Sequence, residues 1–160
     1  MRKFEIVTKF KDKNINKPIR QTSGSAGYDF EAAEDIEIPP YQFGQTPTLV
    51  HTGIKAKMAK EEVLLLYNRS SNPLKHNLIL PNGVGVIDSD YYDNSKNEGE
   101  ILGQFINLNK EAYLVHKGDR IMQGVFVKYG ITIDDKPAKI ERSGGFGSTD
   151  AHESHSIKIN

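Results

Sequence analysis

Short runs of β-branched, aromatic and leucine residues recur along the whole chain, most of them separated by turn formers such as glycine, proline, asparagine or aspartate. They are FEIVTKF (4–10), PTLVHTGIKAKM (47–58), EVLLLY (62–67), NLILPNGVGVID (77–88), ILGQFINL (101–108) and IMQGVFVKYGITI (121–133). Such runs, punctuated by turn formers, predict an all-β domain of the barrel, sandwich or jelly-roll type. Helical periodicity is scarce. SSNPLKH (70–76) is the best candidate, and Pro73 either starts a helix there or keeps it to a turn. The stretch YYDNSKNEGE (91–100) is polar and rich in turn formers, and reads as a flexible inserted loop. From Ser143 onward, SGGFGSTDAHESHSIKIN has too many small and polar residues to pack by itself. The chain therefore reads as one β domain over residues 1–140 with a flexible C-terminal arm over 141–160.

Composition narrows the chemistry. With 160 residues the chain is long enough for one domain with a real core. Its 21 basic and 21 acidic residues cancel, so no global field draws nucleic acid or an anionic membrane, and any phosphate handling is local. The absence of cysteine excludes disulfides, thiolate metal sites and a cysteine nucleophile, and suits a cytoplasmic setting. MRKFEIVTKFKDK at the N-terminus is charged with no apolar run after it, and reads as neither signal peptide nor membrane span. His51, His76, His116, His152 and His155 show no zinc-like grouping.

Five stretches carry candidate chemistry. SGSAGYDFEA (23–32) is a turn entering a strand, with Asp29 as a backbone cap or a functional carboxylate. YNRSSNPLKH (67–76) sets Arg69, Ser70 and Ser71 ahead of a short helical segment, which makes an anion cradle or a solvated loop. NGVGVIDSDYY (82–92) puts an amide (Asn82), a carboxylate (Asp88) and a ring (Tyr91) on a β-hairpin and the turn after it. Gly83 and Gly85 there leave the backbone open to close approach. Taken alone, the same residues also suit an ordinary turn. In KGDRIMQGVF (117–126) alternation places Arg120 and Met122 on one face and Ile121 and Gln123 on the other, so that Gln123 points inward and needs partners. ERSGGFGSTD (141–150) is a glycine-rich stretch with one ring, either a phosphate-wrapping loop or a tail.

In content and order, SAGYD, NRSS, NGVGVIDSDYY, GDRIMQ and RSGGFGST closely resemble the five motifs of the trimeric deoxyuridine triphosphatases (dUTPases), over residues 18 to 149. That resemblance implies a jelly-roll-like β subunit, a homotrimer with shared active sites, and hydrolysis of dUTP to dUMP and pyrophosphate. By match to the motifs, Asp88 is the catalytic carboxylate that polarises a water toward the α-phosphorus, and Gln123 assists at the phosphates. Asn82 with the backbone of Gly85, Val86 and Ile87 reads uracil, while Tyr91 lies against the deoxyribose. Arg69, Ser70, Ser71, Arg142, Gly147, Ser148 and Thr149 hold the phosphates, Phe146 stacks on uracil, and Asp29 supports its neighbours. Mg2+ enters on the substrate triphosphate. Some bacteriophage and Gram-positive members share insertions like the one here, where Gly99 stands well beyond Tyr91. Arg142 sits four residues before Phe146, and Asp150 stands where a glycine usually closes the last motif. No catalytic role follows for the 92–99 insertion, which reads as a surface for a regulatory protein partner whose loss spares turnover. Two alternatives sit beside the main reading: a regulatory binding protein on the same scaffold, and a dCTP deaminase relative, which needs a further acid-base carboxylate.

Overall fold

The computed structural model describes residues 1–137 and 144–145. Alternating apolar positions build short strands: β1 (Lys3–Ile6), β2 (Tyr28–Glu31), β3 (Ile36–Ile38), β4 (Thr48–His51), β5 (Ile54–Lys57), β6 (Glu62–Asn68), β7 (Leu78–Ile79), β8 (Val84–Asp88), β9 (Leu102–Asn107), β10 (Tyr113–Val115) and β11 (Arg120–Lys128). They pair as a four-stranded sheet β2-β11-β6-β8, a three-stranded sheet β4-β9-β7, and the ribbons β1-β5 and β10-β3. The result is an all-β, jelly-roll-like fold of open sheets. β3 and β10 carry only three residues each, too short for the apolar pattern to announce them.

The register of the large sheet sorts its side chains. Phe30 lies opposite Met122, Leu66 opposite Gly124 and Gly85, and Leu64 opposite Phe126 and Ile87. This is the inner face. Phe30, Leu64, Leu66 and Met122 are buried there, in one cluster with Ile38, Val50 and Phe105. Phe4 caps it edge-on, 5.4 Å from the Phe30 ring and 5.3 Å from Tyr28. Truncating a ring such as Phe105 in this layer costs about 3–5 kcal/mol. The other face runs in rows: Asp29, Gln123, Tyr67, Val84; then Val125, Leu65, Val86; then Val127, Val63, Asp88.

Three expectations change here. The segment 77–88 is not a hairpin: β7 pairs with β9 and β8 with β6, so the turn between them crosses from one sheet to another. Strand alternation fails at the start of β11, where the register slips between Arg120 and Met122. This bulge turns both Ile121 and Met122 inward and leaves Arg120 and Gln123 on the outer side, so Gln123 is not a core residue. Finally, β11 ends at Lys128 rather than running on through Ile133; Ile131 and Ile133 are exposed beyond it.

Candidate active site

Gly83, at φ 69°, lets the chain reverse: its N–H donates to Leu80 O at 3.0 Å, and Val84 N–H donates to Asn82 O at 2.7 Å. The turn delivers β8 to the sheet's edge, so that its backbone N–H and C=O groups on the side away from β6 face outward. Gly85 lies over Leu66. A Cβ on it would stand 3.1 Å from Leu66 Cβ and 3.6 Å from Asn82 Nδ2, so its hydrogen leaves room for a guest and the Asn82 amide folds back toward that room. A cavity of about 220 Å³ opens there, floored by Leu66, Leu80 and Met122, with Asn82 and Gln104 supplying amides and Gly85, Val86, Ile87 and Tyr91 completing the wall. An apolar floor with a few convergent amides suits a flat heterocycle.

Tyr91 belongs to a short 3-10 turn, Ser89–Tyr91, and is buried. Its hydroxyl donates to Glu100 O at 2.9 Å and accepts from Asn97 Nδ2 at 2.8 Å. Gly145 lies against the ring of the same chain; a Cβ there would stand 3.0 Å from Tyr91 Cε2.

A second cavity, of about 370 Å³, gathers Arg69, Ser71, His76, Asp119 and Arg120. Asp29 braces its cations. One carboxylate oxygen is 3.7 Å from Arg69 Nε and the other 3.3 Å from Arg120 Nη1, while Arg69 Nη1 donates to Arg120 O at 3.0 Å. Because the Asp29 side chain is only 15% exposed, this pairing is screened less than a surface one. Asn72, buried, donates to Asn68 Oδ1 and Ile121 O, both at 2.7 Å, and pins the Arg-Ser-Ser loop to β6 and β11. Tyr113 stands across the cavity with its ring centre 5.3 Å from that of His76, and burial raises its hydroxyl's pKa. The expected helix is a five-residue π-helical turn, Asn72–His76, with Pro73 in its first turn. Proline has no N–H and the turn is too short for a useful dipole, so cationic side chains rather than a helix end carry any anion affinity here.

Gln123 sits half-buried over Gly27, where a Cβ would come 2.6 Å from Gln123 Oε1. Asp88, half-buried at the end of β8, shares the outer face of the sheet with Gln123 but lies two rows away. Ser70 is exposed beside Ser71. Within one chain, then, Asn82, Gly85, Val86, Ile87 and Tyr91 meet at one cavity, and Arg69 and Ser71 at another that shares no lining residue with it, with Asp29 bracing Arg69 from outside that lining. Arg142, Phe146, Gly147, Ser148 and Thr149 lie outside the described residues. Arg120 and Gln104, which line the two cavities, are not among the residues the motifs single out; the charge of Arg120 next to Asp119 is a signal in the sequence, and nothing there marks Gln104.

A model of the dUTPase family matches residues 13–150. The chain belongs to the dUTPase family. It is 49% identical, over 94% of its length and 99% of the other's, to a deoxyuridine 5′-triphosphate nucleotidohydrolase of Lactococcus lactis. The crystal structure of the dUTPase from Streptococcus mutans is similar at 45% identity with a TM-score of 0.75, covering 82% of this chain and 98% of that one. Both are Gram-positive relatives, in keeping with the motif resemblance. A mutant dUTPase from phage phi11 of S. aureus, described with a structural Mg(II) ion, shares the fold at 18% identity and a TM-score of 0.68, over 89% of this chain and 99% of that one. The dUTPase match thus spans all five motif stretches, including both cavities.

Proposed function

We infer that this chain hydrolyses dUTP at the α-β phosphoanhydride to dUMP and pyrophosphate, which limits uracil incorporation into DNA and supplies dUMP for dTMP synthesis. The observation that carries the inference is the cavity of Asn82, Gly85 and Tyr91 on an edge strand, within a chain that matches the family over residues 13–150. Uracil offers N3–H as donor and O4 as acceptor, where cytosine reverses both. The β8 backbone and the Asn82 amide pair with the first and leave groups unpaired against the second. The Asp88 carboxylate accepts the 3′-hydroxyl and turns a water toward the α-phosphorus. Arg69, Ser70, Ser71 and Gln123 face the phosphates, Asp29 holds Arg69 in place, and Arg142, Ser148 and Thr149 join from the arm as Phe146 covers the base.

The two cavities of one chain share no lining residue, and we assign the assembly as a homotrimer with shared sites. Its support is the outer face of the large sheet, where Val84, Val86 and Val127 are exposed, together with Ile131 and Ile133 beyond β11. The donor set in the phosphate cavity suits a magnesium-bound triphosphate as the substrate. Guanidiniums dominate it, Asp29 is already held by two of them, and Asp119 accepts from His116 N–H, so the chain offers charge to phosphate oxygens rather than carboxylates to a bare ion. Mg2+ neutralises charge on the phosphates when bound. No aspartate or glutamate is among the described residues lining the uracil cavity, which separates this site from the deaminase alternative.

Pyrophosphate release from dUTP, dCTP, dTTP and UTP tests the proposal. Turnover of dUTP alone is expected, with Asp88→Asn falling about a hundredfold because the base is lost. Comparable turnover of dCTP, or an Asp88→Asn variant as active as the parent, would refute it.

A further inference from the structure

The insertion after Tyr91, polar enough to read as flexible, is tightly bonded to itself and to that ring. Asn94 Oδ1 accepts from the N–H of Lys96 at 3.0 Å and of Asn97 at 3.2 Å, and Asn94 Nδ2 donates to Tyr91 O at 2.9 Å. Asn97 Oδ1 accepts from Asn94 Nδ2 at 2.8 Å and from Gly99 N–H at 3.1 Å. With its carbonyl so held, the Asn97 amide presents its Nδ2 donor to the Tyr91 hydroxyl at 2.8 Å and to Glu100 O at 3.2 Å. The Glu100 carbonyl in turn accepts the hydrogen bond of the tyrosine hydroxyl. Glu100 is itself fixed: buried, it accepts from Gly53 N–H at 3.1 Å and pairs with His51 Nδ1 at 2.9 Å.

On the far side the loop is fastened to the N-terminal ribbon. Glu98 accepts from Thr8 N–H at 3.2 Å and Thr8 Oγ1 at 3.0 Å, Lys55 bonds Asp93, and the Tyr92 hydroxyl donates to Glu5. The Tyr92 pKa is raised by that hydrogen bond, and Glu98 is lowered chiefly by the Thr8 backbone N–H.

A tyrosine anchored only at Cα swings about two side-chain torsions. One whose hydroxyl is clamped between a carbonyl and an amide keeps its ring plane. We propose that Asn97 is a positioning residue for Tyr91, and that the 92–99 insertion thereby sharpens the preference for a 2′-deoxy sugar over a ribose. This rests on the reading of Tyr91 as the residue against the sugar. A ring that yields admits a 2′-hydroxyl at little cost, whereas a clamped one excludes it, so discrimination depends on the hydrogen bond from Asn97 as well as on the presence of the ring.

Kinetics of the full-length protein on dUTP and UTP, with calorimetric binding of dUMP and UMP, test this for Asn97→Ala, Asn97→Asp, Tyr91→Phe and the Asn97→Ala/Tyr91→Phe pair. The dUTP:UTP ratio of kcat/KM is expected to fall about tenfold in each single variant, the worth of roughly one hydrogen bond. The fall should come through KM rather than kcat, with the double variant falling no further than Tyr91→Phe, which removes the Asn97 contact together with the Glu100 one. The dUMP:UMP affinity ratio should fall in parallel. Glu98→Gln, which loosens the far anchorage without touching Tyr91, should leave the ratio unchanged. Wild-type turnover of dUTP with an unaltered ratio in Asn97→Ala, additive losses in the double variant, or an equal fall in Glu98→Gln would overturn the positioning role alone. A wild-type protein inert toward dUTP that binds dUMP no better than UMP would overturn the parent reading as well.

Discussion

Replacing Gly27 by alanine separates what the strand junction does for the fold from what it does for turnover. The new Cβ would stand 2.6 Å from Gln123 Oε1 but 3.4 Å and 3.5 Å from Gln123 Cβ and Cδ, so only the tip of the side chain is struck. Gly27 is not among the residues with positive φ, and its backbone accepts alanine. The glutamine can escape by rotating away, at about 0.5–1.5 kcal/mol for an unfavourable rotamer. Alanine returns about 0.4–1 kcal/mol by restricting the unfolded chain. Net stability therefore changes by less than about 1 kcal/mol, which is a few degrees in Tm at most for a domain of this size. Function does not share this tolerance. On the proposed role of Gln123, the rotated amide takes its donor off the phosphates, and losing one positioned donor to developing charge costs about 3 kcal/mol, or a hundredfold or more in kcat. Steady-state pyrophosphate release and thermal melts of Gly27→Ala, Gln123→Ala and the double variant are the assay. Equal losses in all three with nearly unchanged melting are expected. An active Gly27→Ala protein, or a loss that tracks a large fall in Tm, would refute the steric reasoning.

Assembly and acid stability give two further tests. If the proposed trimer forms through the exposed apolar face, Val127→Glu combined with Ile133→Glu places charge there and should lower the mass in light scattering to that of one chain, with turnover lost and β-sheet circular dichroism retained; an unchanged mass would show that the face is not the interface. The Glu5 carboxyl is lowered from 4.5 to about 2, first by Lys3 and then by the Tyr92 hydroxyl, and Glu62 and Glu98 are lowered by Arg2 and by the Thr8 N–H. Since these folded values lie below the unfolded ones, their stabilisation is present above about pH 4.5 and is lost as pH falls toward 2. The urea midpoint should drop across that window, and drop less in Tyr92→Phe, whose Glu5 has lost a partner.

Much of the architecture was legible because its signal is local. β6, β9 and β11 announce themselves through β-branched and leucine runs, and the cavity beside β8 through Asn82, the two glycines and Tyr91, all within ten residues. What escaped depends on contacts across the chain. Asp29 meets Arg69 and Arg120 only because β2 lies beside β11, and no spacing in the sequence says so. The order in 92–99 escaped for another reason: Asn94 and Asn97 are polar, and polarity reads as solvation until the backbone groups they bond are known. The supposed hairpin failed because turn chemistry at Asn82 and Gly83 fixes a reversal but not which strands pair on either side of it.

The extra residue at the start of β11 has its own use. In an unbroken ladder the carbonyls of Arg120 and Ile121 would be spent on neighbouring strands; here they receive the Arg69 guanidinium and the Asn72 amide instead. A chain lacking Ile121 would possess a tidier sheet and leave the Arg69 guanidinium to Asp29 alone. Regularity and anion capture are thus competitors at this spot, and the molecule has settled for a flaw in its weave so that the loop of Arg69 has somewhere to moor.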